Sequence, residues 1–248
     1  MLGRKFLTNS SGECTIIEYV NNKDVLVEFS NPYYTTKCAI KELVKGEVKN
    51  PLVPSFYEKG YVGVGEYKLN TSKRESRLWG GILKRLFSEE YHKTHPTYKN
   101  VEVCDEWLNF QNFAEWCNSQ DFLHYTNNTG KYYQLDKDIL VKGNKIYSPE
   151  TCCFVPSQIN SLFSHMKMSK GGFPVGVSFV KGRGKFHAGY SNCGKLVNLG
   201  HFNTPEEAFL AYKKAKESHI KFMANLWKDR IDDKVYQALM NYEVHIDD

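Results

Sequence analysis

Asp136, Lys137 and Asp138 stand together ahead of a Gly143-Asn144 turn, a Tyr147-Ser148-Pro149 corner and the adjacent Cys152 and Cys153, with Asn160 following. Closely spaced carboxylates can hold a divalent cation, and a nearby base can activate water. Lys137 lies between the two carboxylates. A lysine acts as a base only when burial or neighbouring cations favour its neutral form, and flanking aspartates act in the opposite direction. Lys137 therefore reads as a phosphate contact. Two readings stay open for Asp136 and Asp138: carboxylates of a metal-dependent active site, or carboxylates that stabilise a hairpin turn.

Other reactive side chains give less. His92 and His95, in YHKTHPTY, read as surface or phosphate-contacting residues. The seven cysteines form no CxxC pair, so neither a zinc finger nor a disulfide framework is signalled, and Cys152 and Cys153 read as core. With 41% hydrophobic and 25% charged residues, the 248-residue chain has ordinary globular composition. Its formal charge of +5 permits an anionic partner without requiring one. No apolar run approaches a membrane span and the start lacks a signal peptide core, so a soluble cytosolic protein is expected.

The elements that must position these residues fall into three segments and an α+β fold class. Residues 1–66 alternate in the manner of strands at CTIIEYV and VLVEF around an NNKD turn, which predicts a small β unit with a short helix from Ala39 to Lys45. Residues 67–168 carry apolar spacing for one helix over Arg77 to Phe87 and another around Trp107 to Trp116. These flank the Asp136 hairpin, and a further helix is expected from Ser157 to about His165. After a linker around Lys170 to Pro174, residues 169–248 offer three strand-like runs, VGVSFV, KFHAGYS and LVNLGHF, separated by KGRG and NCG. A helix then opens at Thr204-Pro205-Glu206-Glu207 with cap, Pro and acids in the favoured places, and a last helix is expected around Asp232 to Tyr242.

Period-two alternation places Val177, Phe179, Phe186, Ala188, Tyr190, Val197 and Leu199 toward that helix. Ser178, Lys185, His187, Gly189, Ser191 and Asn198 then point away, with Lys181 and Arg183 at the first turn. Such a face can enter a major groove and engage phosphates, or it can simply be the wet side of a sheet.

The last segment, through Gly176-Val177, Gly184-Lys185-Phe186-His187-Ala188, Leu199-Gly200-His201-Phe202, Thr204 to Ala208 and Ala211-Tyr212, resembles the DNA-binding domain of plant ethylene-response factors and of mobile endonucleases. That implies double-stranded DNA as partner, with Ser178, Lys181, Arg183, Lys185, His187 and Asn198 as contacts. Plant members carry more arginine and tryptophan on that face.

The middle segment, through Leu78-Trp79, Pro96-Thr97-Tyr98, Val103 to Trp107, Leu135 to Asp138, Tyr147 to Cys152 and Asn160, resembles HNH-type ββα-metal homing endonucleases of phages. That implies a central ββα-metal module using Mg²⁺, in which Asp136, Lys137, Asp138 and Asn160 form the catalytic set and Asp136 with a downstream Asn160 holds the metal against a scissile phosphate, except that Lys137 stands where the family has its histidine and Thr151 where it often has Asn. The two functions this leaves are a sequence-selective DNA nickase or endonuclease and a non-cutting repressor or site blocker. A protein-interaction factor built on the aromatic-rich middle segment is a third.

Overall fold

The computed structural model describes residues 1–163, 172–192 and 195–248. It is a mixed α+β structure that divides into two compact units, Met1–Ser119 and Gln120–Asp248. The division falls inside the segment 67–168, so the expected flanking helices and the hairpin are built in different units.

In the first unit β1 (Lys5–Leu7), β2 (Glu13–Asn21), β3 (Asp24–Ser30) and β4 (Tyr33–Cys38) form an antiparallel sheet in sequential order. Alternation along β3 buries Val25, Val27 and Phe29 with Cys14, Ile16 and Leu43 in one cluster. The helix expected near Ala39 to Lys45 is α1 (Ile40–Val44), its N-terminus closed by the Glu42 side chain on the Ala39 N–H at 2.7 Å. Helix α2 runs from Arg74 to Phe87 and buries Trp79, Ile82, Leu83 and Leu86. The short α3 (Glu89–Thr94) and β5 (Glu102–Val103) precede α4 (Phe110–Ser119), which packs on α2. The Trp79 indole N–H donates to the Trp107 carbonyl at 2.7 Å, satisfying a polar atom that burial would otherwise leave unpaired.

In the second unit β6 (Gln134–Asp136) pairs antiparallel with β8 (Cys153–Val155), with β7 (Ile146–Tyr147) in the loop between them and α5 (Ser157–Asn160) directly after. A single 3-10 turn, Ser161–Phe163, continues α5; the remainder of the helix expected to reach His165 lies outside the described residues, as do Lys170, Gly171 and part of the NCG turn. Strands β9 (Val177–Val180), β10 (Lys185–Asn192) and β11 (Lys195–Phe202) form an antiparallel sheet with β10 in the centre. One face packs on α6 (Pro205–Trp227) through Val177, Ala188, Ala208, Phe209 and Tyr212.

Gly176 makes this packing possible. It has φ +74°, and a Cβ there would lie 2.0 Å from the Tyr212 ring. At the helix start Thr204 accepts from the Glu207 N–H at 3.2 Å while Glu207 reaches back to the Thr204 N–H, the reciprocal cap that the sequence predicts. Helix α7 (Asp233–Met240) follows, capped by Asp232.

The hairpin and the C-terminal helices are bound within this unit by specific bonds. Tyr133 donates its hydroxyl to the Arg230 carbonyl at 2.9 Å, and Lys142 donates to the Glu243 carbonyl at 2.8 Å and to the Asp248 carboxylate.

Candidate functional site

The hairpin places Asp136 at the end of β6, opposite Cys153. Its Oδ1 accepts the backbone N–H groups of Asp138 at 2.7 Å and Ile139 at 2.8 Å, which turns the chain out of the strand. Burial pushes the Asp136 carboxyl above its ordinary pKa, and these two N–H donors only partly offset the shift. Lys137 donates to the Asp138 carboxylate and to the Asn144 carbonyl at 3.1 Å, while the Asn144 amide returns a bond to the Lys137 carbonyl at 2.7 Å. Thr151 Oγ1 donates to the Ile146 carbonyl at 2.7 Å and so closes the Tyr147-Ser148-Pro149 corner.

Asn160, on α5, donates to Gln134 Oε1 at 2.6 Å. Gln134 and Asp136 are two residues apart on one strand and share a face, so Asn160 reaches the face that carries Asp136.

The donor set decides whether a hydrolytic Mg²⁺ centre fits. One Asp136 oxygen is committed to the turn, one Asp138 oxygen is committed to Lys137, and the Asn160 amide is committed to Gln134. Three oxygens, Asp136 Oδ2, Asp138 Oδ2 and Asn160 Oδ1, are left, and among the described residues no group of three or more His, Cys, Asp and Glu side chains could hold a metal ion. Both partners of the Lys137 ammonium are acceptors, so Lys137 donates here and does not abstract a proton.

The neighbouring thiols do not help. Burial pushes Cys152 up to about 12 and raises Cys153 as well, so both are protonated core thiols rather than thiolate ligands. His92 and His95 belong to the first unit and are engaged locally, His92 with the Arg85 carbonyl at 2.8 Å and His95 stacked on Tyr91 at 4.2 Å. Among the described residues, then, this set offers no cluster for a water-activating metal centre.

The C-terminal sheet gathers more. Its helix side holds Phe186, Tyr190, Leu199 and Phe202 against the core cluster. Phe179 shares that side but stays 42% exposed, because β9 is an edge strand and the ring packs only on Phe173 and Phe186. On the free side His187 stands between Ser178 of β9 and His201 of β11, each directly opposite it in register. Asn198 is opposite Gly189, and its Oδ1 accepts from His187 Nε2 at 3.1 Å and from the Gly200 N–H at 2.9 Å. A carbonyl oxygen can only accept, so His187 Nε2 is a donor, and the NH₂ group of Asn198 is the donor end of this exposed side chain. Lys181 and Arg183 occupy the exposed 3-10 turn between β9 and β10, and Lys185 follows at the start of β10.

One member of this face escapes strict alternation. The register shifts between Ala188 and Gly189, where β11 passes from Gly200 to Asn198, and Leu199 is the extra residue. Gly200, at φ +113°, absorbs the bend. Counting by twos from Asn198 sends His201 to the helix side, whereas the bulge returns it to the free side opposite His187. Leu196, in step with Asn198 and opposite Ser191, adds an apolar tip to this face that is 70% exposed. A charge signal in the sequence marks the same face: between Glu150 and Glu206 the chain has no Asp or Glu, while Lys181, Arg183, Lys185 and Lys195 are present. The acids return on the helix side, with Glu206, Glu207 and Glu217 on α6.

In membrane terms, no helix among the described residues is long and apolar enough to cross a bilayer. The chain matches no family model, no curated protein and no solved structure.

Proposed function

We propose that this chain binds double-stranded DNA through the free face of the β9–β10–β11 sheet, and that it occupies its site without hydrolysing it. The observation that carries this reading is one acid-free sheet face bearing Arg183, Lys185, His187, His201 and Asn198, with its other face packed on α6. Three strands spaced about 4.8 Å apart present a ribbon roughly 10 Å across, comparable to the major groove of B-DNA at about 12 Å. The deep, narrow major groove of A-form RNA does not admit such a face.

The exposed cations supply phosphate contacts that set affinity and register. The Asn198 NH₂, Ser178, Ser191 and the Leu196 side chain are of the types that read base edges, the last by contact with a thymine methyl. The hairpin serves in this reading as a structural element, with Asp136 as turn acceptor, in line with a repressor or site blocker.

The experiment is incubation of the purified protein with supercoiled plasmid and random duplexes, in Mg²⁺, in Mn²⁺ and in chelator. Salt-sensitive duplex binding with plasmid left supercoiled in all three supports the reading. Metal-dependent nicking that Asp136→Ala abolishes overturns its non-cutting half, and failure to bind duplex at low salt overturns it entirely.

A further inference from the structure

The two imidazoles on the free face are the feature that a phosphate-binding sheet does not require. His187 and His201 are directly opposed across β10 and β11, with ring centroids 5.4 Å apart at 57°. A β-bulge places them together, His187 on the central strand and His201 beside it on β11.

The charged and titratable groups around them can be named from each element. The turn brings Lys181 and Arg183, β10 brings Lys185 and His187 itself, β11 brings His201, and β9 contributes Ser178, which carries no charge. Helix α6 lies against the opposite side of the sheet. No carboxylate lies on any of the three strands.

His187 Nε2 already donates to Asn198 Oδ1, so the atom that gains a proton on charging is Nδ1, and the bond to Asn198 persists in both states. For His201, burial and then the cations Arg183, His187 and Lys185 hold the imidazole below its ordinary pKa in the free protein. Phosphates brought to this face reverse the local sign of the field. They favour imidazolium where the free face disfavours it.

We propose that the His187–His201 pair makes DNA binding proton-linked, so that the free face takes up protons as it closes on phosphates and binds more tightly as the pH falls. This rests on the reading of the sheet as a DNA-binding face. The direction follows from linkage: a group whose pKa is higher in the complex than in the free protein adds affinity as the pH falls through the bound value. It adds no more once the pH is below the free value. The window is therefore the region around and below neutrality where histidine titrates.

The test is fluorescence anisotropy of a labelled random duplex at several salt concentrations, each from about pH 8 to about pH 5.5, with the full chain and the double variant H187Q/H201Q. The expected result is a gain of roughly tenfold or more for the unmodified chain, with a salt slope steeper by about one to two at the acid end, and a nearly flat pH profile for the double variant.

A second readout does not depend on the variant: in the unmodified chain the His187 and His201 Cε1–H resonances titrate at higher pH with duplex bound than without. Equal pH profiles for both proteins, or imidazole titrations unmoved by DNA, overturn the proton linkage while leaving the DNA reading in place. Absence of duplex binding at every pH in low salt overturns both.

Discussion

His187 and His201 face each other across β10 and β11, their rings 5.4 Å apart, because Leu199 bulges out of a ladder that would otherwise turn His201 toward the helix. That single extra residue adds a second imidazole to the free side of the sheet, beside the cations of the Lys181–Arg183 turn.

Lys181→Ala, Arg183→Ala and Lys185→Ala should each weaken binding to every duplex by a similar factor and reduce the dependence of log Kd on log salt by about one per residue. Anisotropy titrations at several salt concentrations measure this. A change in sequence preference with an unchanged salt slope contradicts the assignment of these residues to phosphates.

Asn198→Ala should act differently. It removes the NH₂ donor and the acceptor for His187 and Gly200, so the ranking of sequences in a binding selection should shift, with about 1–3 kcal/mol lost at the base pair it contacts. Uniform weakening across all sequences would falsify the base-reading role.

Asp136 separates a turn acceptor from a metal ligand. Asp136→Asn keeps an oxygen for the Asp138 and Ile139 N–H groups and removes a partly buried charge, so its thermal stability at pH 7 should equal or exceed that of the unmodified chain. Asp136→Ala should cost about 1–3 kcal/mol. Burial raises the carboxyl pKa in the fold, so the folded state holds more protons than the unfolded chain between the two values. The Asp136 contribution is accordingly lost as the pH rises through the folded value. Denaturation of all three proteins at pH 4 and pH 7 checks this sign, and a melting temperature that rises with added Mg²⁺ only when Asp136 is present speaks for a metal site.

Lys216 offers an independent stability test. It is buried on α6 with its ammonium 5.6 Å from the centre of the Tyr190 ring, and burial pushes its pKa down to about 8 from 10.5. The unfolded chain then binds more protons than the fold between those values, so stability attributable to this group rises with pH across that window. Lys216→Met should flatten that rise and stabilise the protein near pH 7 by about 1 kcal/mol. Parallel pH–stability curves for the two proteins contradict it.

Much of the fold is legible where the signal is local. Thr204, Pro205 and Glu207 announce the start of α6 because a cap, a fixed φ and a returning carboxylate act within one turn. Alternation along β10 assigns Ala188 inward and His187 outward for the same reason.

What escapes is decided at longer range. The bulge at Leu199 shows only when β11 is laid against β10, so His201 is missing from the face that alternation predicts. Near Asp136 the sequence leaves metal ligand and turn acceptor both open, because both use the same residue type at the same spacing. The two backbone N–H groups on Oδ1 become visible only once the chain has turned. The division after Ser119 is equally non-local, arising from contacts such as Tyr133 to Arg230 that join residues far apart in the chain.

The most direct measurement compares, at low salt, duplex binding by the unmodified chain and by a variant in which Arg183, Lys185, His187 and His201 are all replaced by Gln, with circular dichroism confirming that both are folded. Salt-sensitive binding by the first and at least a hundredfold weaker binding by the second is the predicted result. Equal binding by two folded proteins contradicts the claim that this sheet is the face that meets DNA.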